Sequence, residues 1–310
     1  MSDAEIGRFR QILTGRDIFP RQLRCIRLME RPLLLHANAP FWAKKSVSAG
    51  FVRWTSTGPN IIMEWSDEAL IISVRPHGET AAIIEVFSRD HGRHLGMVHG
   101  GRSRLQRPIL QIGNHVDVVW KARLADHLGT MKVELRHGYA AQALEDRAGL
   151  ALLTSMAALI RLIPERDPHE NFYEISMFVL GYLDDFSIWP ALYVRWEMEL
   201  LGELGFGLDL TACAATGSRE NLIYVSPKSG KAVSASAGEP YKDRLMILPG
   251  FLKDGQREPP SAADVLAGLK LTEFFLLSRV YEQHGQGVPE ARLRLSELLR
   301  RAVSNDNGAV

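Results

Sequence analysis

Cysteine is nearly missing from this chain of 310 residues; it has two, Cys25 and Cys213, far apart and in unrelated contexts. That excludes a disulfide framework and suits a reducing cytoplasm. No apolar run reaches the ~18–20 residues that a bilayer-spanning helix takes. Charge of one sign is lacking as well. The formal net charge is +1, so a face that binds nucleic acid has to come from local clusters of arginine and lysine. Motifs of catalysis are absent too. There is no GxxxxGKS/T loop, no GxGxxG run opening a helix, no HxH or HExxH spacing and no GxSxG elbow. Nor is there a cluster of carboxylates of the kind that holds divalent metal in nucleases and phosphotransferases. Internal repeats and low-complexity stretches are not found either.

What remains is the composition of a globular protein, 46% hydrophobic and 24% charged, long enough for two or three modest domains. Residues 1–62 stand apart. Arg8, Arg10, Arg16, Arg21, Arg24, Arg27, Arg31, Lys44, Lys45 and Arg53 are opposed by Asp3, Glu5, Asp17 and Glu30, and the apolar residues keep no sustained period. This stretch reads as a disordered basic leader or an over-extended start, with Met63 as the natural beginning. From Ala69 to Gly138 the pattern is that of strands. Leu70, Ile72 and Val74 alternate, as do Val116, Val118 and Trp120, and Met131, Val133 and Leu135. Ala81–Phe87 and His94–Val98 supply two more strands, bounded by Gly, Asp and His turns. Five short strands in about 70 residues point to a small barrel, for which the OB-fold is the common solution.

From Ala140 onward the period is helical. Leu150, Leu153, Met156 and Ile160 share a face, and so do Phe172, Ile175, Val179 and Leu183. Tyr193, Trp196, Leu200 and Leu204 continue the spacing until Gly205 ends it. Trp189, Trp196, Phe274 and Phe275 therefore belong to the core. After Pro259 and Pro260 a helix runs through Val280, and Glu290–Val303 forms a last basic helix before a polar tail, 304–310. Between the helices lies a turn-rich insertion, 208–252, too long for an ordinary connection. Its core is expected from Leu222, Tyr224, Leu245, Leu248 and Phe251.

The residues with a chemical use gather in one loop. His99-Gly-Gly-Arg-Ser-Arg-Leu-Gln-Arg107 follows the third strand and carries Arg102, Arg104 and Arg107, three fork-shaped donors suited to phosphate. On a barrel of this kind the loop would flank the groove where a single strand lies. Arg75, Arg93, Lys121 and Arg123 are candidates to extend that surface. His77, His91, His94, His99, His115, His127 and His137 crowd the barrel without metal-ligand spacing and read as turn and surface histidines. A barrel that binds protein partners and not DNA is the other class these residues allow.

Taken in order, the His77-Gly78-Glu79 turn, the turn ending in Gly92-Arg93, the Gly-Gly-Arg loop, and a helical body whose insertion runs from Cys213 to Leu-Pro-Gly-Phe-Leu252 resemble the RecO family of recombination mediators. The resemblance covers about Met63–Val303. It implies an α+β chain with an N-terminal OB-fold barrel over 63–139. An all-helical domain follows over 140–303, bearing a zinc-knuckle-like insertion. It also implies a non-enzymatic function in DNA repair. Such proteins bind single- and double-stranded DNA and anneal complementary strands. With RecR, on DNA coated by single-strand-binding protein, they help load RecA, and they reside in the cytoplasm, at the nucleoid during repair. Many relatives hold zinc in the knuckle through two CxxC pairs. The matching positions here are Cys213, Thr216, Ser234 and Ala237, so no metal and no other cofactor is expected.

Overall fold

A computed structural model describes residues 51–55, 58–124, 126–253 and 259–306. Residues 1–50 of the basic leader and the last four residues of the tail lie outside the described residues. The leader's remainder is not aperiodic: β1 (Phe51–Thr55) pairs antiparallel with the start of β2 (Gly58–His77), from Phe51 opposite Ile62 to Thr55 opposite Gly58.

The barrel is closed by one long strand. β2 has 20 residues and, beyond its pairing with β1, serves two partners within the barrel. Its first part, from Met63, pairs with β5 (His115–Ala122), and its second part, from Ala69, pairs with β3 (Ala81–Ser88). β3 pairs with β4 (Gly92–Val98), and β6 (Thr130–His137) joins β5 to the end of β4 through Met97 and Thr130. The circuit of these five strands is thus completed, with the β4–β6 junction resting on this single pair. An irregularity between Ile71 and Ser73 is where β2 changes partner. Strict alternation in β5 turns Val116, Val118, Trp120 and Ala122 inward, against Ile71, Ile84, Val86, Met131 and Val133. Trp120 finds acceptors for its indole N–H in the carbonyls of Leu95 and Leu128, so a buried polar atom is satisfied.

The helical body begins at α1 (Tyr139–Gln142) and α2 (Arg147–Ile160). Asp146 caps α2 by accepting from the N–H groups of Ala148 and Gly149. α3 (Glu170–Leu180) and α4 (Trp189–Glu203) follow, α4 with Pro190 in its first turn, where a missing N–H costs nothing. Trp189, Trp196 and Phe275 are buried as expected, whereas Phe274 is exposed. The insertion folds as a three-stranded sheet in the order β8–β7–β9, from β7 (Leu222–Val225), β8 (Ala232–Ser234) and β9 (Met246–Ile247), with the one-turn helix α5 (Ala235–Gly238). Leu222, Leu248 and Phe251 pack into the helical core, with Tyr224 and Leu245 against its rim. α6 (Ala262–Phe275) opens on a capping box of Ser261 and Asp264. It does not continue as one α-helix to Val280; Leu276–Tyr281 is a π-helical turn. α7 (Glu290–Asp306) carries the basic segment three residues into the expected tail. At the centre Arg292, with no exposed surface, donates to Glu197 at 2.9 Å and to the Leu269 carbonyl at 2.7 Å, tying α7 to α4 and α6.

The two parts share a core. Leu70, Ile72 and Phe87 leave the barrel's own interior and join the helical cluster. Phe87 meets Phe172 and Tyr173 at centroid distances of 6.1 and 5.7 Å.

Candidate nucleic-acid interface

The Gly-Gly-Arg loop is a stiff cap on the barrel. Gly101 sits so close to β3 that a Cβ would stand 2.8 Å from that of Ala82 and 3.1 Å from its backbone nitrogen. At the loop's far end Leu110 is buried in the barrel core. Between these anchors the chain bonds to itself. Ser103 donates to the Gly100 carbonyl at 2.9 Å, Arg107 to that of Ser103 at 3.0 Å, and Leu110 to that of Gln106 at 2.9 Å. The buried Asn114 side chain donates to the carbonyls of Pro108 and Ile109, and its oxygen accepts from the N–H of Ala140. The loop also grips the turn between β2 and β3. The Arg102 backbone donates to the Thr80 carbonyl at 3.0 Å and its guanidinium to that of Gly78 at 2.8 Å.

Arg102, Arg104 and Arg107 are all exposed on this cap. Arg102 and Arg107 line a groove of about 290 Å³ whose apolar floor is Val74, Ala82 and Leu110. Among the described residues neither Arg104 nor Arg107 has an acidic partner, and the segment His99–Gln111 contains no Asp or Glu.

Register brings two of the outlying residues onto one row. Arg75 stands opposite Ile83, Ile83 opposite Met97, Met97 beside Thr130, and Thr130 opposite Lys121. Partners across a ladder share a face, so this row lies on the outside of the barrel. It spans four strand spacings, roughly 19 Å along the curved surface. It is cationic at both ends and apolar in the middle, where Ile83 and Met97 are half-buried and Leu95 lies nearby on the same face. Lys121 is tied to Glu64 at 2.8 Å. Arg123 is exposed on the β5–β6 connection. The apolar strip went unrecognised in the sequence because Ala81–Phe87 is apolar on both faces, which masks its period.

Arg93 does not belong to this surface. It is buried, with Nε 2.9 Å and Nη2 2.7 Å from the Glu85 carboxylate, and it also donates to the carbonyls of Arg161 and Ile163. Its position in a Gly-Arg turn gave no warning. β3 and β4 turn their outer face toward the helical body at this end, and the guanidinium is used there. The histidines also divide. His94 is 7% exposed, packed edge-on against Trp65 and Trp120. Burial, with Arg166 and His91 nearby, lowers its pKa to about 4. It is neutral at pH 7 and adds no charge to the face. Burial lowers His115 likewise.

The insertion lacks a ligand set for zinc. Cys213 is buried, and its sulfur accepts from the Ser234 N–H at 3.3 Å and the Ser234 hydroxyl at 3.4 Å. The side chains that reach the sulfur, Ser234 and Thr216, carry hydroxyl groups, whereas a structural zinc takes four sulfur or imidazole ligands. The donors do not fit the metal. Among the described residues no three His, Cys, Asp or Glu side chains gather as a metal would require.

Comparison with known proteins bears on the two-part architecture. Residues 63–139 match the family model described as Recombination protein O N terminal, and residues 144–286 match Recombination protein O C terminal. The DNA repair protein RecO of Rhodopseudomonas palustris (strain TIE-1) is 51% identical over 244 residues, 78% of this chain and 98% of that protein. The RecO of Mesorhizobium japonicum is 47% identical over 253 residues, 80% of this chain and all of its own length. That of Methylobacterium nodulans is 50% identical over 234 residues, 74% of this chain and 95% of that protein. With both halves matched and half the residues shared over nearly the whole of these relatives, the chain belongs to the RecO family of DNA repair and recombination proteins.

Proposed function

We propose that this protein is a recombination mediator that binds single- and double-stranded DNA on its barrel, anneals complementary strands and makes or breaks no bond. With RecR it helps RecA load onto DNA coated by single-strand-binding protein, as in the RecF pathway, in the cytoplasm at the nucleoid. The observation that supports this most is the stiff cap bearing Arg102, Arg104 and Arg107, free of acidic residues, beside a row with Arg75 and Lys121 at its ends. Phosphate affinity comes from such guanidinium groups, and a fixed loop does not have to be ordered on binding. Arg123 and the Ile83–Met97 strip extend the surface on which a strand lies.

Binding of a short oligonucleotide at several salt concentrations tests the reading. Three neutralised phosphates on a single strand give a slope of log affinity against log salt of roughly −2. Affinity then falls on the order of ten- to twentyfold between 50 and 200 mM salt. Charge reversal of Arg102, Arg104 and Arg107 together flattens that slope. An unchanged affinity and slope in the triple variant assigns the DNA surface elsewhere. Strand annealing with and without single-strand-binding protein and RecR then tests the mediator activity.

A further inference from the structure

We propose that Leu105 is a wedge that enters a base step of the DNA held by the Gly-Gly-Arg loop. This rests on the DNA-binding reading above and adds what the loop does to the strand. Leu105 is 83% exposed, the most exposed large hydrophobic side chain among those described. Scattered exposed leucines are ordinary in proteins; what sets this one apart is its setting. It stands at the tip of the cap, immediately after Arg104 and two residues before Arg107, and both arginines are exposed. The tip is not a loose excursion. Its two ends are anchored by Gly101 against Ala82 and by Leu110 in the barrel core, and the turn between them is bonded from Ser103 to Gly100, Arg107 to Ser103 and Leu110 to Gln106. A further bond from the Gln106 N–H to the Ser103 hydroxyl, at 3.3 Å, braces the residue next to the leucine.

An apolar side chain held rigidly among phosphate-binding cations is the device by which DNA-bending proteins part a base step. The guanidinium groups hold the backbone on either side, and the apolar tip takes the place of the stacking partner that one base loses. The opening costs least where stacking is already weak, at mismatches, junctions and flexible steps. Bases parted in this way expose their pairing edges, which is what a strand being exchanged or annealed needs. An apolar anchor for a protein partner would use the same leucine, but the arginines around it and the lack of any acidic residue from His99 to Gln111 favour a polyanion.

The test uses the full-length protein and a short duplex carrying 2-aminopurine beside a single mismatch. The wild-type protein should raise the 2-aminopurine fluorescence on binding, because unstacking relieves its quenching. Leu105→Ala should lose that rise while weakening binding by no more than about tenfold, since the arginines remain. Its salt slope should match the wild type. Leu105→Phe should keep the rise. A full rise with Leu105→Ala, or wild-type binding with no rise at all, overturns the wedge and leaves the DNA-binding reading standing. Failure of the wild-type protein to bind the duplex overturns both. Normal unstacking by Leu105→Ala together with lost binding of a protein partner reassigns the leucine as an interface anchor.

Discussion

Single residues here are set by their neighbours, and Arg93 is the clearest case. Its guanidinium fills a site walled by the Glu85 carboxylate and the carbonyls of Arg161 and Ile163. Removing one partner of a buried pair leaves the other uncompensated. Arg93→Ala should therefore cost about 3 kcal/mol of stability, the low end of such losses because Arg161 still reaches Glu85 at 3.1 Å. Urea denaturation measures this, and adding Glu85→Gln to the variant should recover part of the loss. DNA affinity of the folded variant should be unchanged, as the buried Arg93 lies off the proposed binding face. His94 gives a pH dependence of definite sign. Its folded pKa, about 4, lies below its ordinary value of 6.5, so the neutral form is favoured by folding. Its contribution to stability is complete above about pH 6.5 and is lost as pH falls toward 4. One proton is taken up on unfolding in that window, a slope of about 1.4 kcal/mol per pH unit. Comparing wild type with His94→Gln in denaturant melts from pH 4 to 7 reads that slope, which the variant should lack.

At the scale of elements, what was legible in the sequence was what repeats. The alternation of Val116, Val118 and Trp120 identified β5 because one face is in and the other out. The three- and four-residue spacing of Tyr193, Trp196 and Leu200 identified α4. The candidate loop was legible because three arginines and two glycines lie in one short run. Features set by long-range pairing were not. Nothing local in β2 tells that it closes a barrel by serving β5 and then β3, and nothing in Gly92-Arg93 tells that the turn docks on the helical body. The π-helical turn at Leu276–Tyr281 keeps a helical pattern of apolar residues and so escaped notice. The loop's stiffness was equally invisible, and Gly101 tests it. A side chain there meets the backbone of Ala82, which cannot withdraw without disturbing β3. Gly101→Val should lift the cap from the barrel at a cost of about 1–3 kcal/mol, the range for overpacking. It should also weaken oligonucleotide binding although every arginine is retained. A variant that binds with wild-type affinity shows that the loop's arginines act without the fixed geometry.

For the whole molecule, the sequence divides at about residue 139 into strands and helices, yet the physical core does not divide there. Leu70, Ile72 and Phe87 belong to the barrel by strand and to the helical body by packing. Beside them the turn at Gly92 lies under the Asp167 backbone, so close that a Cβ there would overlap the Asp167 carbonyl. The Arg166 N–H donates to the Arg93 carbonyl at 2.8 Å, and Arg93 and Glu85 complete the seam. A small barrel freed from the helices would expose Leu70, Ile72 and Phe87 and leave Glu85 and Arg93 facing water. Burying large apolar side chains such as these is worth about 1.5–3 kcal/mol each, a sizeable share of a small domain's stability of about 5–15 kcal/mol. Barrel and helical body should therefore unfold together. Scanning calorimetry should give one transition whose calorimetric and van't Hoff enthalpies agree. Two resolved transitions, or an isolated 63–139 fragment that melts cooperatively near the temperature of the full chain, would mean that the seam is a contact between independent domains. A single transition also bears on function. On the proposed reading, DNA on the outer face of the barrel would then stand at a fixed orientation to the helical body, so that a partner on that body would meet the strand without a search over domain positions.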